Sequence, residues 1–414
     1  MEKIAFIFPG QGSQYIGMSK TLYEQHDIVR HTFEEASDIL GFNLAELCFS
    51  GSLAELSRLE NALVALLTSS VAAFRAYMKE IGVAPQFCAG HSLGEYSALT
   101  CSGALKFSDA VKIVEQRAKL AKEVADIGNS AMTIIGGITP PLVEEECRKV
   151  SAPENEVCVS CYNSYNEVAI AGHIEAVQQV ENRVLDMDGQ ITPLLGTAPF
   201  HSPLMQSAAA KLKRVLETYT YSYCSWATFS NVTALPYNHS KMIVDSLANQ
   251  IIKPVRWQET IQSLQKYGVT ITIEFGAKNV LSNLVKTEAP NIKTFCYDQK
   301  ADRQMLTEIL YSNEMYSKHV PTVITKCLAI GVATPNYNSD AEEYKKGMIG
   351  PYRTIQHIQE EVEKSGLKPT KENMIQSIEM LHSIFNTKKI PVEEQEVWFN
   401  RIENETGTNY FFMK

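Results

Sequence analysis

Apolar runs bounded by glycine, proline and polar residues predict buried strands in the first part of the chain. The run KIAFIF at 3–8 ends at a Pro-Gly pair, which predicts a strand that leads into a loop. Residues 87–105, FCAGHSLGEYSALTCSGAL, predict a strand, a sharp turn flanked by glycines and a helix. The runs WATFSNV at 226–232 and VTITIEFG at 269–276 predict two further strands.

Apolar residues recur at helical spacing between these strands. The pattern predicts helices over 18–36, 53–81, 107–124 and 203–219, and the second has a face rich in alanine and leucine. Alternating strands and helices indicate an α/β core.

The segment 128–197 has a different order of elements. It contains four strand-like runs with two helical stretches, and the order is β-α-β-β-α-β. This order is typical of a ferredoxin-like domain, so we expect a small domain inserted into the core. The four runs are AMTIIGGI at 131–138, EVCVSCYNS at 156–164, EVAIAGH at 167–173 and ITPLLGT at 191–197.

Residues 303–414 contain helical patterns and few strand candidates. Ser339 and Glu342 predict a capping box, and Pro351 suits the first position of a helix. Thr370 predicts the cap of a later helix. This region is therefore expected to form a helical C-terminal extension.

Charge and cysteine content narrow the classes of function. The net charge of −9 argues against nucleic-acid binding, which needs clustered cations. Nine cysteines, an odd number scattered through apolar runs, indicate reduced thiols in a cytoplasmic protein. No segment has the ~18 uncharged apolar residues of a membrane helix, so no membrane association is predicted.

One short motif indicates nucleophilic chemistry. Residues 90–94, Gly-His-Ser-Leu-Gly, fit the G-x-S-x-G pattern, in which glycines permit a strained turn that exposes the serine. Ser92 is therefore the candidate nucleophile, and it needs a base to remove its proton. His201, in GTAPFHSPLM, lies between an apolar segment and a helix, where it can face a cleft. The residues alone leave other histidines among the nine as candidates.

Six motifs, in matching order and spacing over about residues 1–300, resemble the malonyl-CoA:acyl carrier protein transacylase family. Polyketide-synthase acyltransferases are similar over the same stretch. The motifs are FPGQGSQ at 8–14, GHSLGE at 90–95, Gln116-Arg117, FHSPLM at 200–205, Asn231-Val232-Thr233, and Gln250 followed by Pro-Val-Arg-Trp at 254–257.

The resemblance implies a ping-pong mechanism. Ser92 attacks a thioester, and His201 acts as the base in both half-reactions. The backbone N–H groups of Leu93 and Gln11 are the implied donors to the oxyanion. Gln250 takes the place of the usual carboxylate, and a neutral carbonyl then accepts the Nδ1–H of the histidine.

The resemblance also implies the acyl specificity. Arg117 pairs with the free carboxylate of malonyl, so neutral acyl groups are expected to load poorly. Phe200 fills the space that a branch methyl would need, which favours malonyl over methylmalonyl by ~1–3 kcal/mol at most.

The resemblance also implies two partners: a coenzyme A thioester and an acyl carrier protein, which carries the phosphopantetheine. No bound cofactor or metal is expected. We hypothesise that the 303–414 extension docks to a polyketide synthase. An acidic carrier protein needs a basic surface. The candidates are Lys211, Lys213, Arg214, Lys253, Arg256, Lys278 and Lys286.

The pattern and the resemblance together predict an α/β fold. An α/β-hydrolase-like acyltransferase core over 1–127 and 198–302 carries a ferredoxin-like subdomain over 128–197, followed by the helical extension 303–414. The sequence departs from the family at 61–64 and 274–281, on the pocket rim. Two other functions remain open: a hydrolase that clears acyl groups from carrier proteins, and a docking subunit without activity.

Overall fold

The computed structural model describes residues 3–311, 322–367 and 369–406. The chain forms two compact units. The first comprises Met1–Ala76 and Pro85–Leu306, and the second comprises Tyr77–Ala84 and Thr307–Lys414. The division after Leu306 falls inside a helix, Lys300–Tyr311, and not in a loop.

A five-stranded parallel sheet lies in the first unit, with strand order β10-β9-β1-β2-β7. The central strand β1 is buried along its whole length, as expected of a parallel sheet covered on both faces. Its strands are β1 (Ile4–Phe8), β2 (Phe87–Gly90), β7 (Ala227–Thr228), β9 (Ile271–Glu274) and β10 (Lys293–Cys296).

A second sheet in the same unit has the order β6-β3-β5-β4-β8. Its first four strands are antiparallel neighbours, and β8 pairs with β4 in parallel. Two helices pack on it and share its apolar core, and the chain order is β-α-β-β-α-β. The elements are β3 (Ser130–Gly136), α8 (Pro140–Val150), β4 (Val157–Ser164), β5 (Glu167–His173), α9 (Ile174–Leu185), β6 (Gln190–Pro193) and β8 (Val255–Arg256).

The first unit contains the helices given below, and two boundaries between the units fall inside helices, after Ala76 and after Leu306. A short 3₁₀ helix, Pro203–Met205, precedes α10. The helices are α1 (Lys20–Gln25), α2 (Asp27–Leu40), α3 (Leu44–Ser50), α4 (Leu53–Leu56), α5 (Leu59–Glu80), α6 (Leu93–Cys101), α7 (Phe107–Ala125), α10 (Gln206–Leu216), α11 (Met242–Gln250), α12 (Trp257–Lys266), α13 (Val280–Glu288) and α14 (Lys300–Tyr311).

The second unit is helical in its described part and has its own apolar core. Lys388 is buried there, and its Nζ donates to the backbone oxygen of Thr334 at 2.7 Å, which satisfies the end of a helix. The helices are α15 (Val323–Ala333), α16 (Ala341–Ser365), α17 (Lys371–Thr387) and α18 (Val392–Thr406).

Helix α5 is long and apolar enough to cross a membrane by length and composition. However, 83% of that window is buried inside the protein, which is the property of a core helix. All nine cysteines are free thiols.

Three predicted elements of the first unit differ in the structure. The predicted helix 18–36 is two helices, because His26 takes an extended backbone (φ −129°) between them. The predicted helix 53–81 also forms two helices, since the short α4 ends at Leu56 and Ser57 is its C-cap. The strand predicted at 226–232 keeps only two paired residues, because Phe229 bridges to Pro236 and the chain turns back.

Two predictions for the second unit were wrong. Asp340, and not Ser339, caps α16, because its carboxylate accepts the N–H groups of Glu342 and Glu343. Pro351 lies inside this helix and not at its first position. The predicted cap at Thr370 is confirmed: its hydroxyl and the Asn373 side chain form a capping box.

Candidate active site

Ser92 occupies a strained turn between β2 and α6. Its backbone has φ 53° and ψ −108°, a conformation that non-glycine residues rarely adopt. The flanking glycines permit close backbone contacts: a Cβ on Gly90 would lie 1.9 Å from the backbone of Gly94, and a Cβ on Gly94 would lie 1.9 Å from the carbonyl of Phe8. The turn therefore presents the serine at the carboxyl edge of the parallel sheet, as the G-x-S-x-G pattern predicted.

Ser92 and His201 lie together although 109 residues separate them in the sequence. The Ser92 Oγ is 2.7 Å from the His201 Nε2. His201 is buried, and its backbone is also left-handed (φ 62°), held by a hydrogen bond from its N–H to the carbonyl of Ile251. This is the geometry of a nucleophile beside its base.

Gln250 contacts His201 through its backbone and not through its side chain. The His201 Nδ1 lies 2.6 Å from the backbone carbonyl oxygen of Gln250. A carbonyl can only accept, so Nδ1 carries the proton and Nε2 is free to accept the hydroxyl proton of Ser92. The side-chain amide of Gln250 instead donates to the backbone oxygen of Ser92 at 2.7 Å.

His201 is neutral at physiological pH. Burial, together with the nearby charge of Arg117, lowers the pKa of its imidazole to about 3. An imidazole that stays unprotonated is available as a general base over the whole neutral range.

Arg117 on α7 is a buried cation beside the nucleophile. It is 1% exposed, and its Nη2 lies 3.3 Å from the Ser92 Oγ. Its guanidinium lies over the rings of Phe200, at 4.5 Å, and Tyr96, at 5.6 Å. The buried carboxylate of Glu95 acts on its charge, but among the described residues Arg117 has no direct ion pair, and its Nε has no hydrogen-bond partner. Because a buried unpaired cation is costly, this group is suited to an incoming anion.

The predicted oxyanion donors lie in the loops that follow adjacent parallel strands. Leu93 comes after β2 and Gln11 after β1, and the two strands pair in register. In residues 3–311, neither amide N–H has an acceptor in the protein. Two free amides at this edge are able to stabilise a developing oxyanion.

Two further side chains hold the site, and the sequence alone did not reveal their roles. The Oδ1 of Asn231 accepts the Ser92 N–H at 2.7 Å, and its Nδ2 donates to the carbonyl of Gly90 at 2.6 Å, so it clamps the strained turn. Glu95, fully buried, accepts a hydrogen bond from the Gln250 side chain at 2.8 Å. In the sequence, Asn231 stands out only as part of the motif Asn231-Val232-Thr233.

Within the described ranges, no group of three or more histidine, cysteine or acidic side chains is arranged to hold a metal. A serine on a strand–turn–helix, bonded to a neutral histidine, defines the class of serine hydrolases and acyltransferases. The family model described as acyl transferase domain matches residues 5–294.

Individual relatives of known function narrow this class to one family. A malonyl CoA-acyl carrier protein transacylase of Bacillus subtilis is 36% identical over 395 residues, which are 95% of this chain and 99% of that protein. One from Escherichia coli strain K12 is 37% identical over 69% of this chain and 93% of its own length. A solved structure of a type II PKS acyl-carrier protein in complex with its malonyl-transacylase matches with a TM-score of 0.72 and 35% identity, covering 74% of this chain and 100% of the matched chain. This chain belongs to the family of malonyl CoA-acyl carrier protein transacylases.

Proposed function

We propose that this protein transfers a malonyl group from malonyl-CoA to the phosphopantetheine thiol of an acyl carrier protein through a malonyl-Ser92 intermediate. The observation that carries the acyl specificity is Arg117, which is buried, lies 3.3 Å from the nucleophile and makes no direct ion pair with a carboxylate of the described residues. The names of the relatives support the two substrates.

In the first half-reaction, the Oγ of Ser92 attacks the thioester carbonyl while the Nε2 of His201 takes its proton. The N–H groups of Leu93 and Gln11 stabilise the oxyanion. The tetrahedral intermediate collapses, and coenzyme A leaves as a thiol with the proton from His201. In the second half-reaction the carrier thiol gives its proton to His201, attacks the acyl-serine and releases Ser92, which regains the proton.

Arg117 pairs with the free carboxylate of malonyl in this proposal. A guanidinium presents two parallel donors to a carboxylate, and the pair is strong where water is excluded. Phe200 covers one face of the guanidinium at 4.5 Å. The same ring limits the space for a methyl branch on the acyl group.

Arg117→Ala is expected to lower malonyl loading sharply and to narrow the preference for malonyl over acetyl, because it removes both the partner of the carboxylate and the cost of leaving that partner unpaired. Initial rates of Ser92 acylation with malonyl-CoA and acetyl-CoA give the ratio. Lys119→Ala is the matched control, since Lys119 lies on the same helix but is exposed and paired with Glu115. A malonyl preference that survives the Arg117 change would contradict the assignment.

The carrier protein is proposed to bind four exposed cations at the cleft. Three of the seven basic candidates are already paired within the protein: Lys211 with Glu123, Lys213 with Asp245 and Arg256 with Glu259. The remaining four have no ion pair among the described residues, so their charge is available to an acidic partner. They are Arg214, Lys253, Lys278 and Lys286.

The finer fold assignments are also proposals. The parallel sheet with the Ser92 turn supports an α/β-hydrolase-like core over 1–127 and 198–302. The β-α-β-β-α-β order and the sheet order β6-β3-β5-β4 support a ferredoxin-like subdomain over 128–197. We further propose that the enzyme needs no bound cofactor, because the chemistry above uses side chains and backbone groups alone. The nine free thiols support a cytoplasmic location, where cysteines stay reduced.

Residues 303–414 are proposed to be an extension used for docking to a synthase or carrier. The Bacillus subtilis relative aligns over 95% of this chain, whereas the Escherichia coli relative aligns over 69% of it and 93% of its own length. A core without the extension is therefore sufficient for a relative. Helix α17 buries the apolar stripe Met374, Leu381 and Phe385 within the second unit.

A chain that ends after Leu306 is expected to stay soluble and to acylate itself at the rate of the full chain, while transfer to its own carrier protein falls. Acylation by malonyl-CoA and transfer to holo carrier, measured separately by mass, distinguish the two steps. A carrier protein from a system whose enzyme lacks the extension serves as the control. Aggregation, or loss of self-acylation, would show that the extension is part of the catalytic fold.

A further inference from the structure

Glu95 is a buried carboxylate close to the nucleophile that the proposed chemistry does not use. It lies in the first turn of α6, three residues after Ser92, and is fully buried. Its Oε1 accepts the hydroxyl of Tyr237, and its Oε2 accepts the Nε2 of Gln250 at 2.8 Å. Its two oxygens thus join two separate segments of the chain to the helix that follows the nucleophile.

The Gln250 side chain is fixed between two acceptors. Its Nε2 donates to the backbone oxygen of Ser92 at 2.7 Å and to the carboxylate of Glu95. Since both partners are acceptors, the amide can present only its NH₂ group to them, and its orientation is determined. The same residue supplies the backbone carbonyl that lies 2.6 Å from the His201 Nδ1.

We propose that Glu95 is a positioning residue: its carboxylate, held by Tyr237, anchors the Gln250 side chain and thereby fixes the carbonyl that orients His201 against Ser92. In this arrangement the carboxylate acts on the histidine indirectly, through Gln250. In a triad of serine, histidine and aspartate the carboxylate bonds directly to the histidine, whereas here a glutamine stands between them.

The hydrogen bonds, more than the charge, carry this role. Burial raises the pKa of Glu95 to about 7, so ionised and neutral forms are both present near neutrality, and each has an oxygen able to accept from Gln250. A glutamine at position 95 keeps an oxygen for Gln250 and turns its NH₂ toward the Tyr237 hydroxyl, which then accepts. An alanine leaves the Gln250 amide and the Tyr237 hydroxyl without this partner.

The first measurement is the rate at which phenylmethylsulfonyl fluoride modifies Ser92, expressed per active site. This probe needs an activated serine but no malonyl binding. Glu95→Ala is expected to lower the rate constant by about tenfold to a hundredfold, part of what a general base contributes. Glu95→Gln is expected to stay within about threefold of the unchanged protein, because it retains the acceptor.

The second measurement is single-turnover loading from malonyl-CoA, and this arm alone rests on the proposed function. Glu95 hydrogen-bonds to Tyr237 and Gln250, and it acts on Arg117 only through charge, without a direct ion pair. Glu95→Ala is therefore expected to lower the maximal loading rate while the half-saturating concentration changes by less than about twofold. Sulfonylation without any malonyl loading in the unchanged protein would refute the proposed function and leave the role of Glu95 standing.

Glu146→Ala is the matched control, because Glu146 is also buried but lies on α8, where its carboxylate pairs with Lys149 and Arg183. It is expected to lower the melting temperature and leave the sulfonylation rate per active site unchanged. The role of Glu95 is refuted if Glu95→Ala behaves like this control, or if Glu95→Gln loses as much rate as Glu95→Ala, which would assign the effect to charge.

Discussion

His201→Ala is expected to lower the rate of malonyl loading by the ~10²–10⁴-fold that is typical of losing a general base. The reason is local: the Nε2 of His201 is 2.7 Å from the Ser92 Oγ, and burial keeps the imidazole neutral by lowering its pKa to about 3. Single-turnover acylation, followed by mass, measures the loss. Residual loading by the mutant comes from the oxyanion donors and from substrate binding.

The control for this change is His357→Ala, since His357 is exposed and lies in the second unit beside Glu361. It is expected to load at the unchanged rate. An unaffected rate in His201→Ala would mean that another group removes the Ser92 proton.

Ser92→Ala is expected to abolish the covalent malonyl adduct. The strained turn presents this hydroxyl to the neutral histidine, and no other serine of the described chain is bonded to His201. Intact mass after incubation with malonyl-CoA measures the adduct, and thermal unfolding confirms that the alanine variant is folded. An adduct that persists in Ser92→Ala would refute the nucleophile.

Local patterns predicted the elements that hold the nucleophile, because their cause is local. Gly90 and Gly94 flank the turn since any Cβ there would collide with neighbouring backbone, and this requirement is visible as a sequence motif. The alternation of apolar runs predicted the chain order of the inserted sheet for the same reason. Each strand buries a face that its own residues define.

The predicted ends of helices and strands were wrong where neighbouring residues suit the same position or where distant residues interrupt an element. Ser339 and Asp340 are both good N-caps, and the structure uses Asp340, whose carboxylate accepts two N–H groups. The segment 226–232 resembles a strand in its apolar and β-branched residues, yet it pairs over two residues only, because a contact from Phe229 to Pro236 turns the chain. Such contacts depend on tertiary packing, and the strand propensity of a local sequence carries no information about it.

The partners of the histidine could not be predicted from residue types. The resemblance identified Gln250. However, the group that accepts the Nδ1–H of His201 is the backbone carbonyl of Gln250, and every residue has a backbone carbonyl. Glu95 looks like an acidic residue that stabilises the start of a helix, which is the usual place for one. Its bond to Gln250 joins residues 155 positions apart and is visible only in the fold.

The most direct test of malonyl transfer through Ser92 is the intact mass of the unchanged protein, first with malonyl-CoA alone and then with holo acyl carrier protein added. We expect the protein to gain one malonyl group, which Ser92→Ala does not gain. The carrier protein then gains the malonyl group, and the enzyme returns to its original mass. Release of free malonate with the carrier protein left unmodified, or no adduct at all, would contradict malonyl transfer through Ser92.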